Sequence, residues 1–359
     1  MDNVTPANKM VGLILNEEWE VEEKIAVGAA TGIGTGGNFS VSYLVKNIKT
    51  NKNYFLKAFD FEKTMQEALK QGHDFMKIMS ILTADYQFED KLNEICIERK
   101  MRQVIKVMNK GQEVIDGRLV PYLIMELAES GDIRMYVERT QSISLAMKLG
   151  YLKDVTLGIR QLHSADIAHQ DLKPSNVMVF VEAGAKVGDL GRASLQGYPN
   201  RFDDLKITGD QSYAPPEQLY GFIAKEWVDR RQRCDIYQLG SIVSFLFTGQ
   251  TINSLMKEEV PIAIAPPRWG GEGNKYELAL PYLEQAFSNA LIKFDTIHPD
   301  WLRDGLKKIV FQCSHPNYEL RGSIGTRGYK VIDLGLDRIV SEFDHLMQKL
   351  KVYGLKDAK

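Results

Sequence analysis

The chain has 359 residues, more than one small core accommodates, so two lobes or domains are expected. An apolar fraction of 44% and a charged fraction of 26% exclude a disordered or fibrous chain. A net charge of −2 gives no electrostatic case for nucleic acid or an anionic membrane as a main partner. Cys96, Cys234 and Cys313 lie far apart and form no CxxC pair, which argues against a zinc site or a disulfide framework and for a reducing, cytoplasmic compartment. Residues 1–18 carry a short apolar patch from Met10 to Leu15 without a basic leader, so no secretion signal is expected. No apolar run approaches the length needed to cross a bilayer.

Trp19 to Ile25 alternates apolar and polar residues, as a half-buried strand does. A glycine-rich stretch follows, with Gly34, Gly36 and Gly37, and Val41 to Val45 reads as a second strand. A strand, a glycine turn and another strand let backbone amides approach phosphates closely, although such hairpins are also common for structural reasons alone. Asn53 to Phe59 is a strand with Lys57 inside an apolar run, where an ammonium needs either an anion or a path to water. Met65, Ala68, Leu69, Phe75, Ile78 and Leu82 recur at near-helical spacing interrupted at Gly72, which predicts extra helical turns over residues 60–88.

The next helix offers two glutamates. Glu89 has Leu92 and Cys96 at offsets of three and seven, and Glu94 has Ile97 and Met101 at the same offsets. Val104 to Val107 reads as a strand, and Tyr122 to Leu127 as another that ends in a polar turn with Asp132 as the cap of a helix. Ala146 to His163 has helical apolar spacing.

That helix leads into His169-Gln170-Asp171-Leu172-Lys173-Pro174-Ser175-Asn176. One carboxylate, one cation and one amide at fixed offsets are what phosphoryl transfer asks of a loop. The stretch resembles the protein kinase catalytic loop, H-R-D-x-K-x-x-N, and departs from it only at Gln170. Further motifs follow in the family's order. Asp189-Leu190-Gly191 is similar to D-F-G, and Gly209 to Glu217 is similar to G-T-x-x-Y-x-A-P-E. Cys234 to Gly240 resembles the D-x-W-S-x-G helix, and Pro316 to Arg321 the D-P-x-x-R site. Residues 335–352 read as an amphipathic closing helix.

The resemblance runs from Trp19 to the mid-340s and implies an α+β, bilobal protein-kinase-like fold with ATP and Mg²⁺ between the lobes. An N-terminal extension is expected at 1–18, the small β-rich lobe at 19–126, the larger helical lobe at 127–345, and a tail at 346–359. On the family pattern G-x-G-x-x-G-x-V the matches are Gly34, Gly36 and Val41, with Gly37 in the same loop and Phe39 at the third glycine position. Lys57 would hold the α- and β-phosphates and pair with Glu89 or, failing that, Glu94. Met125 would sit behind the adenine, backbone groups of Glu126 and Ala128 would bond its edge, and Asp132 would face the ribose.

The resemblance makes Asp171 the base or orienter, Lys173 the charge stabiliser, and Asn176 and Asp189 the metal ligands. His169, Gly191, Glu217, Asp235 and Arg321 would be structural, with Asp235 on the catalytic-loop backbone and Arg321 paired with Glu217. Residues 218–233 are an insertion relative to the family. Gln170 cannot pair with a loop phosphate, so activity is expected not to depend on one held there. Asp210 stands where a threonine is usual, and Lys173 is expected to bridge Asp171 and Asp210. The implied function is transfer of a phosphoryl group from ATP to Ser or Thr of a protein substrate whose identity the motifs leave open. The alternatives are a nucleotide-binding pseudokinase scaffold and, third, a small-molecule kinase of the same fold.

Overall fold

The structure is a computed structural model and describes residues 5–25, 40–70, 72, 74–140, 143–266, 274–323 and 334–353. The glycine-rich stretch with Gly34, Gly36, Gly37 and Phe39 lies outside the described residues. Period-two alternation builds one antiparallel sheet in the amino-terminal lobe. Its strands are β1 (Ile14–Leu15), β2 (Trp19–Lys24), β3 (Ser40–Asn47), β4 (Lys52–Phe59), β5 (Val107–Ile115) and β6 (Arg118–Glu126). They run in the order β1-β2-β3-β4-β6-β5.

The strand expected at Val104–Val107 begins only at its last residue, and Val104 makes a single parallel bridge with Val187. Asp116 and Gly117, with φ of 53° and 73°, supply the left-handed turn that folds β5 onto β6. Residues 5–18 are part of this lobe rather than an extension to it. Ala7, Met10 and Leu15 are buried with Trp19, Val21, Tyr43, Val45 and Leu56, and the Tyr43 hydroxyl donates to the Ala7 carbonyl.

Two helices follow β4, α1 (Phe61–Lys70) and α2 (Phe75–Glu98). Gly72, at φ 82°, separates them. Asp74 caps α2 by accepting from the Lys77 N–H at 2.9 Å. The extra turns expected between β4 and the glutamate-bearing helix are therefore α1 and the first half of that helix itself.

The helical lobe contains α3 (Ile133–Arg139), α4 (Leu145–His163), β7 (Ile167–Ala168), β8 (Val177–Phe180), β9 (Gly184–Val187) and β10 (Ser194–Leu195). It continues with α5 (Pro216–Leu219), α6 (Trp227–Arg230), α7 (Gln232–Thr248), α8 (Ile252–Lys257), α9 (Asn274–Ala290), α10 (Asp300–Ser314) and α11 (Leu336–Val352). The apolar stripe of α4 (Leu149, Leu152, Val155, Ile159 and Leu162) is fully buried in a core shared with α7, α10 and α11. Phe88, Leu92 and Cys96 of α2 join that core and tie the small lobe to the large one.

The lobe does not end at residue 345. Leu346 and Leu350, which lie beyond it, are buried, one and two turns after Phe343 and in phase with it and Ile339. α10 meets α11 at Gly305, where an added Cβ would lie 2.5 Å from Leu346 Cδ2. All three cysteines are buried, and burial pushes the thiols of Cys96 and Cys313 up to about 12, so they are inert in the folded state. Among the described residues, no helix is long and apolar enough to cross a membrane.

Candidate active site

A cleft between the lobes is lined by Ser40, Ser42, Phe55, Lys57, Met125 and Met178, with Glu89, Asp171 and Asp189 at its polar end. Strand parity places Lys57. In β4 it pairs across to Ser42 of β3 and Leu123 of β6, so Ser42 shares its face. Val41 is one residue out of phase and packs into the sheet core with Ala58 and Val45. This corrects the expectation that Val41 lines the nucleotide site, because a shift of one residue in a strand moves a side chain to the other face.

The structure places Glu89, rather than Glu94, against Lys57. Lys57 Nζ lies 2.7 Å from Glu89 Oε1 and 3.3 Å from Asp189 Oδ1. Glu89, Leu92, Asn93 and Cys96 form the buried face of α2, and Glu94 sits outside it on Lys110 at 2.7 Å. Burial disfavours the Lys57 ammonium, but Asp189 and Glu89 outweigh it and raise its pKa. Lys57 holds the Asp189 carboxyl below its ordinary range, whereas burial, aided by the neighbouring Asp189 charge, pushes Glu89 up. Asp189 has φ 61°, a strained setting for a non-glycine residue. A Cβ at Gly191 would stand 3.3 Å from Asp189 Oδ1 and 3.4 Å from Glu89 Oε2.

Met125, Glu126 and Ala128 line the back of the cleft. The Glu126 side chain is engaged by Lys186 and by the Lys106 N–H, and its own N–H donates to the Lys106 carbonyl at 3.1 Å. Asp132 caps α3, accepting from the Met135 N–H at 3.0 Å, and is only 1% exposed. Its carboxylate is spent on the helix terminus and does not line the cleft, which corrects the expected ribose contact.

The catalytic-loop stretch hangs from α7. Asp235, fully buried, accepts from the backbone N–H groups of His169 and Gln170, each at 2.7 Å, and meets His163 Nε2 at 2.8 Å. Three residues further along α7, Gln238 Oε1 accepts from Leu172 N–H at 2.9 Å and its Nε2 donates to the Gln170 carbonyl at 3.0 Å. The i, i+3 spacing on one helix face could have pointed to Gln238, which sequence reasoning missed. His169 Nε2 reaches the Gly188 carbonyl at 2.9 Å and Nδ1 accepts from Asp171 N–H at 3.3 Å, the neutral Nε2–H tautomer.

Asp171, Lys173 and Asn176 come together. Lys173 Nζ is 3.0 Å from Asp171 Oδ2, and Asn176 Nδ2 donates to the Asp171 carbonyl at 2.8 Å and to Oδ2 at 3.3 Å. Asp210 offers its backbone instead of a hydroxyl, its N–H donating to Asp171 Oδ1 at 2.8 Å. Gly209 permits that approach, since a Cβ there would fall 2.4 Å from the Gln170 carbonyl oxygen. Asp210 Oδ2 stands 3.9 Å from Lys173 Nζ, so the lysine lies between two carboxylates. Asp210→Thr keeps the N–H bond, removes the partly exposed second charge and leaves the Ser212 N–H, which bonds Asp210 Oδ1 at 2.8 Å, to the threonine hydroxyl. A change in turnover of about 1.4- to fivefold is expected, matching the ~0.2–1 kcal/mol of such pairs. Unchanged turnover in a steady-state assay would deny the pair any part in rate.

Glu217 and Arg321 form a bidentate pair, with both N···O distances 2.6 Å and both side chains buried. The pair joins α5 to the segment after α10.

A six-stranded lobe and a helical lobe, with the charged groups gathered where they meet, define the bilobal kinase fold. The family model "Protein kinase domain" matches residues 29–323, and the chain belongs to that family. Human testis-specific serine/threonine-protein kinase 4 is 26% identical over 278 residues, which is 72% of this chain and 82% of that protein. The human SNF-related serine/threonine-protein kinase is 27% identical over 220 residues, 60% of this chain. The Schizosaccharomyces pombe mitosis inhibitor protein kinase wee1 is 28% identical over 195 residues, 53% of this chain. The matched segments make up 25% and 20% of those last two proteins.

Proposed function

We propose that this protein transfers the γ-phosphoryl group of ATP to Ser or Thr hydroxyls of protein substrates, with Mg²⁺ as cofactor. The observation that carries the reading is the closed pair of Lys57 and Glu89 at 2.7 Å, which holds an ammonium in the cleft beside Asp189. Kinase relatives require that pair for phosphoryl transfer. Lys57 would anchor phosphate oxygens. Asp171 would accept or orient the substrate hydroxyl proton. A carboxylate offers about four lone-pair sites. Asp210 N–H takes one on Oδ1, while Lys173 and Asn176 both face Oδ2, so Oδ1 keeps room for a hydroxyl. Lys173 would offset charge on the moving group.

The residues present fit a hard cation. Asn176 Oδ1 is buried without a hydrogen-bond partner, a costly state that a metal ligand relieves; the Asn176 carbonyl accepts from Gly188 N–H at 2.9 Å, and the next residue, Asp189, is an ionised carboxylate lining the cleft. Mg²⁺ held by Asn176 and Asp189 would neutralise phosphate charge. The preference for Ser and Thr rests on Lys173, since tyrosine kinases usually carry another residue at that offset, and on the relatives' names.

Lys57→Ala is the test. Nucleotide affinity is expected to fall by about 10- to 100-fold, the loss of a charge-assisted contact worth ~1.5–3 kcal/mol. Label transfer from γ-labelled ATP to a protein substrate should vanish with it. Affinity unchanged by the substitution would overturn the assignment of Lys57. Lys57-dependent nucleotide binding without transfer by the unaltered protein would favour the scaffold reading.

A further inference from the structure

We infer that Arg231 is a positioning residue that orders the activation segment through an internal carboxylate, Asp203, where a phosphate would otherwise be needed; this rests on the protein kinase reading. Three separated parts of the chain meet at its guanidinium. Arg231 precedes α7, Gln170 belongs to the catalytic loop, and Asp203 and Thr208 belong to the segment after Asp189-Leu190-Gly191. Arg231 Nη1 donates to Gln170 Oε1 at 3.0 Å and to Thr208 Oγ1 at 3.2 Å. Its Nη2 donates to the Asp203 carbonyl at 2.6 Å and lies 3.1 Å from Asp203 Oδ1. Gln170 answers by donating from Nε2 to the Arg231 carbonyl at 2.7 Å.

The side chain of Arg231 is only 2% exposed, so the charge is committed to these partners rather than to water. The residue expected to be arginine is glutamine here, and the arginine comes instead from the 218–233 insertion. The carboxylate is equally committed. Asp203 Oδ1 accepts from Ser194 Oγ at 2.8 Å, Oδ2 accepts from Asn200 N–H at 3.0 Å, and Trp227 Nε1 donates to Ser194 Oγ at 3.1 Å. Trp227 also comes from the insertion, as does Arg230, whose guanidinium donates to the Asp203 carbonyl, so the insertion grips the segment through three side chains. Ser194 begins β10, which pairs with β7 directly before the catalytic loop.

The ordered segment in turn reaches α2. Arg201 pairs with Asp85 at 2.5 Å, Tyr198 stacks on Phe88 with centroids 5.8 Å apart, and Lys91 Nζ sits 3.6 Å from the Tyr198 ring centroid. Asp85 lies one helical turn before Glu89. Holding residues 198–203 against α2 therefore holds Glu89 on Lys57.

The discriminating variant is Asp203→Asn, which is isosteric and removes the charge; its one side-chain oxygen can stay on Asn200 N–H while the rotatable Ser194 hydroxyl accepts from the amide. Arg231→Lys is the conservative companion, and Arg231→Gln the severe one. On the full chain, hydrogen exchange across residues 194–210 is the primary readout, beside ATP affinity and kcat. Asp203→Asn is expected to raise exchange in that segment and lower kcat about tenfold, the rate equivalent of roughly 1.4 kcal/mol. Its ATP affinity should fall less than kcat does, because Lys57 itself is unaltered and only the support of its Glu89 partner is loosened. Arg231→Lys should fall between Asp203→Asn and the unaltered protein. Phosphatase treatment of the unaltered protein should leave kcat unchanged.

Unaltered exchange in Asp203→Asn, or activity lost to phosphatase, would overturn the inference. If the unaltered protein transfers no phosphate, the kinase reading fails on that assay, while the exchange comparison still decides whether Arg231 and Asp203 order the segment.

Discussion

Asp171→Asn is expected to lower phosphoryl transfer by about 10²- to 10⁴-fold, the range for removing a positioned acid or base. ATP affinity should change little, since Lys57, Glu89 and Asp189 form a separate set. The physical case lies in the donors around the carboxylate. Asp210 N–H, Lys173 and Asn176 all point hydrogens at it. An asparagine can turn its oxygen to only one side, and its amide then faces a donor on the other. The base is lost and Lys173 loses its nearest anion at once. Single-turnover transfer from labelled ATP, with nucleotide affinity measured in parallel, checks this. A variant retaining more than about a tenth of the rate would mean that Asp171 does not handle the hydroxyl proton.

Arg321→Ala should be the largest loss of stability. The guanidinium and the Glu217 carboxylate are 0% and 5% exposed and share two hydrogen bonds of 2.6 Å. Arg321 also donates to the His315 carbonyl at 2.8 Å and stands 4.8 Å from the Tyr237 ring centroid. Removing it strands a buried carboxylate, which costs about 3–5 kcal/mol. For a domain of this size that lowers Tm by on the order of 10 °C. Glu217→Gln leaves a neutral acceptor for the same guanidinium and should cost less. Thermal unfolding of the two variants side by side decides the matter. A Tm within about 2 °C of the unaltered protein for Arg321→Ala would show that water reaches Glu217 once the guanidinium is gone.

The sequence by itself determined the two-lobe class, the catalytic-loop triad of Asp171, Lys173 and Asn176, and the partnership of distant Glu217 and Arg321. The triad was legible because phosphoryl transfer asks for given residue types at fixed offsets within one stretch, where spacing along the chain is spacing in space. Glu217 and Arg321, 104 residues apart, were joined only by the resemblance of their motifs to the family's. Strand alternation likewise exposed Lys57 as a cation among apolar neighbours. Glu89 and Glu94 carried identical apolar offsets, so only the rotation of α2 against the sheet separated them. Val41 and Ser42 differed by one residue, and only the pairing of Ser42 with Lys57 said which faced the cleft. Asp132 had both a cap and a ligand role open to it until the fold buried its carboxylate. Arg231, Gln170 and Asp203 sit in three separate stretches of the chain, and no local pattern marks them. Their meeting is a property of packing, because a buried guanidinium finds its partners only when the segments that carry them have folded against one another.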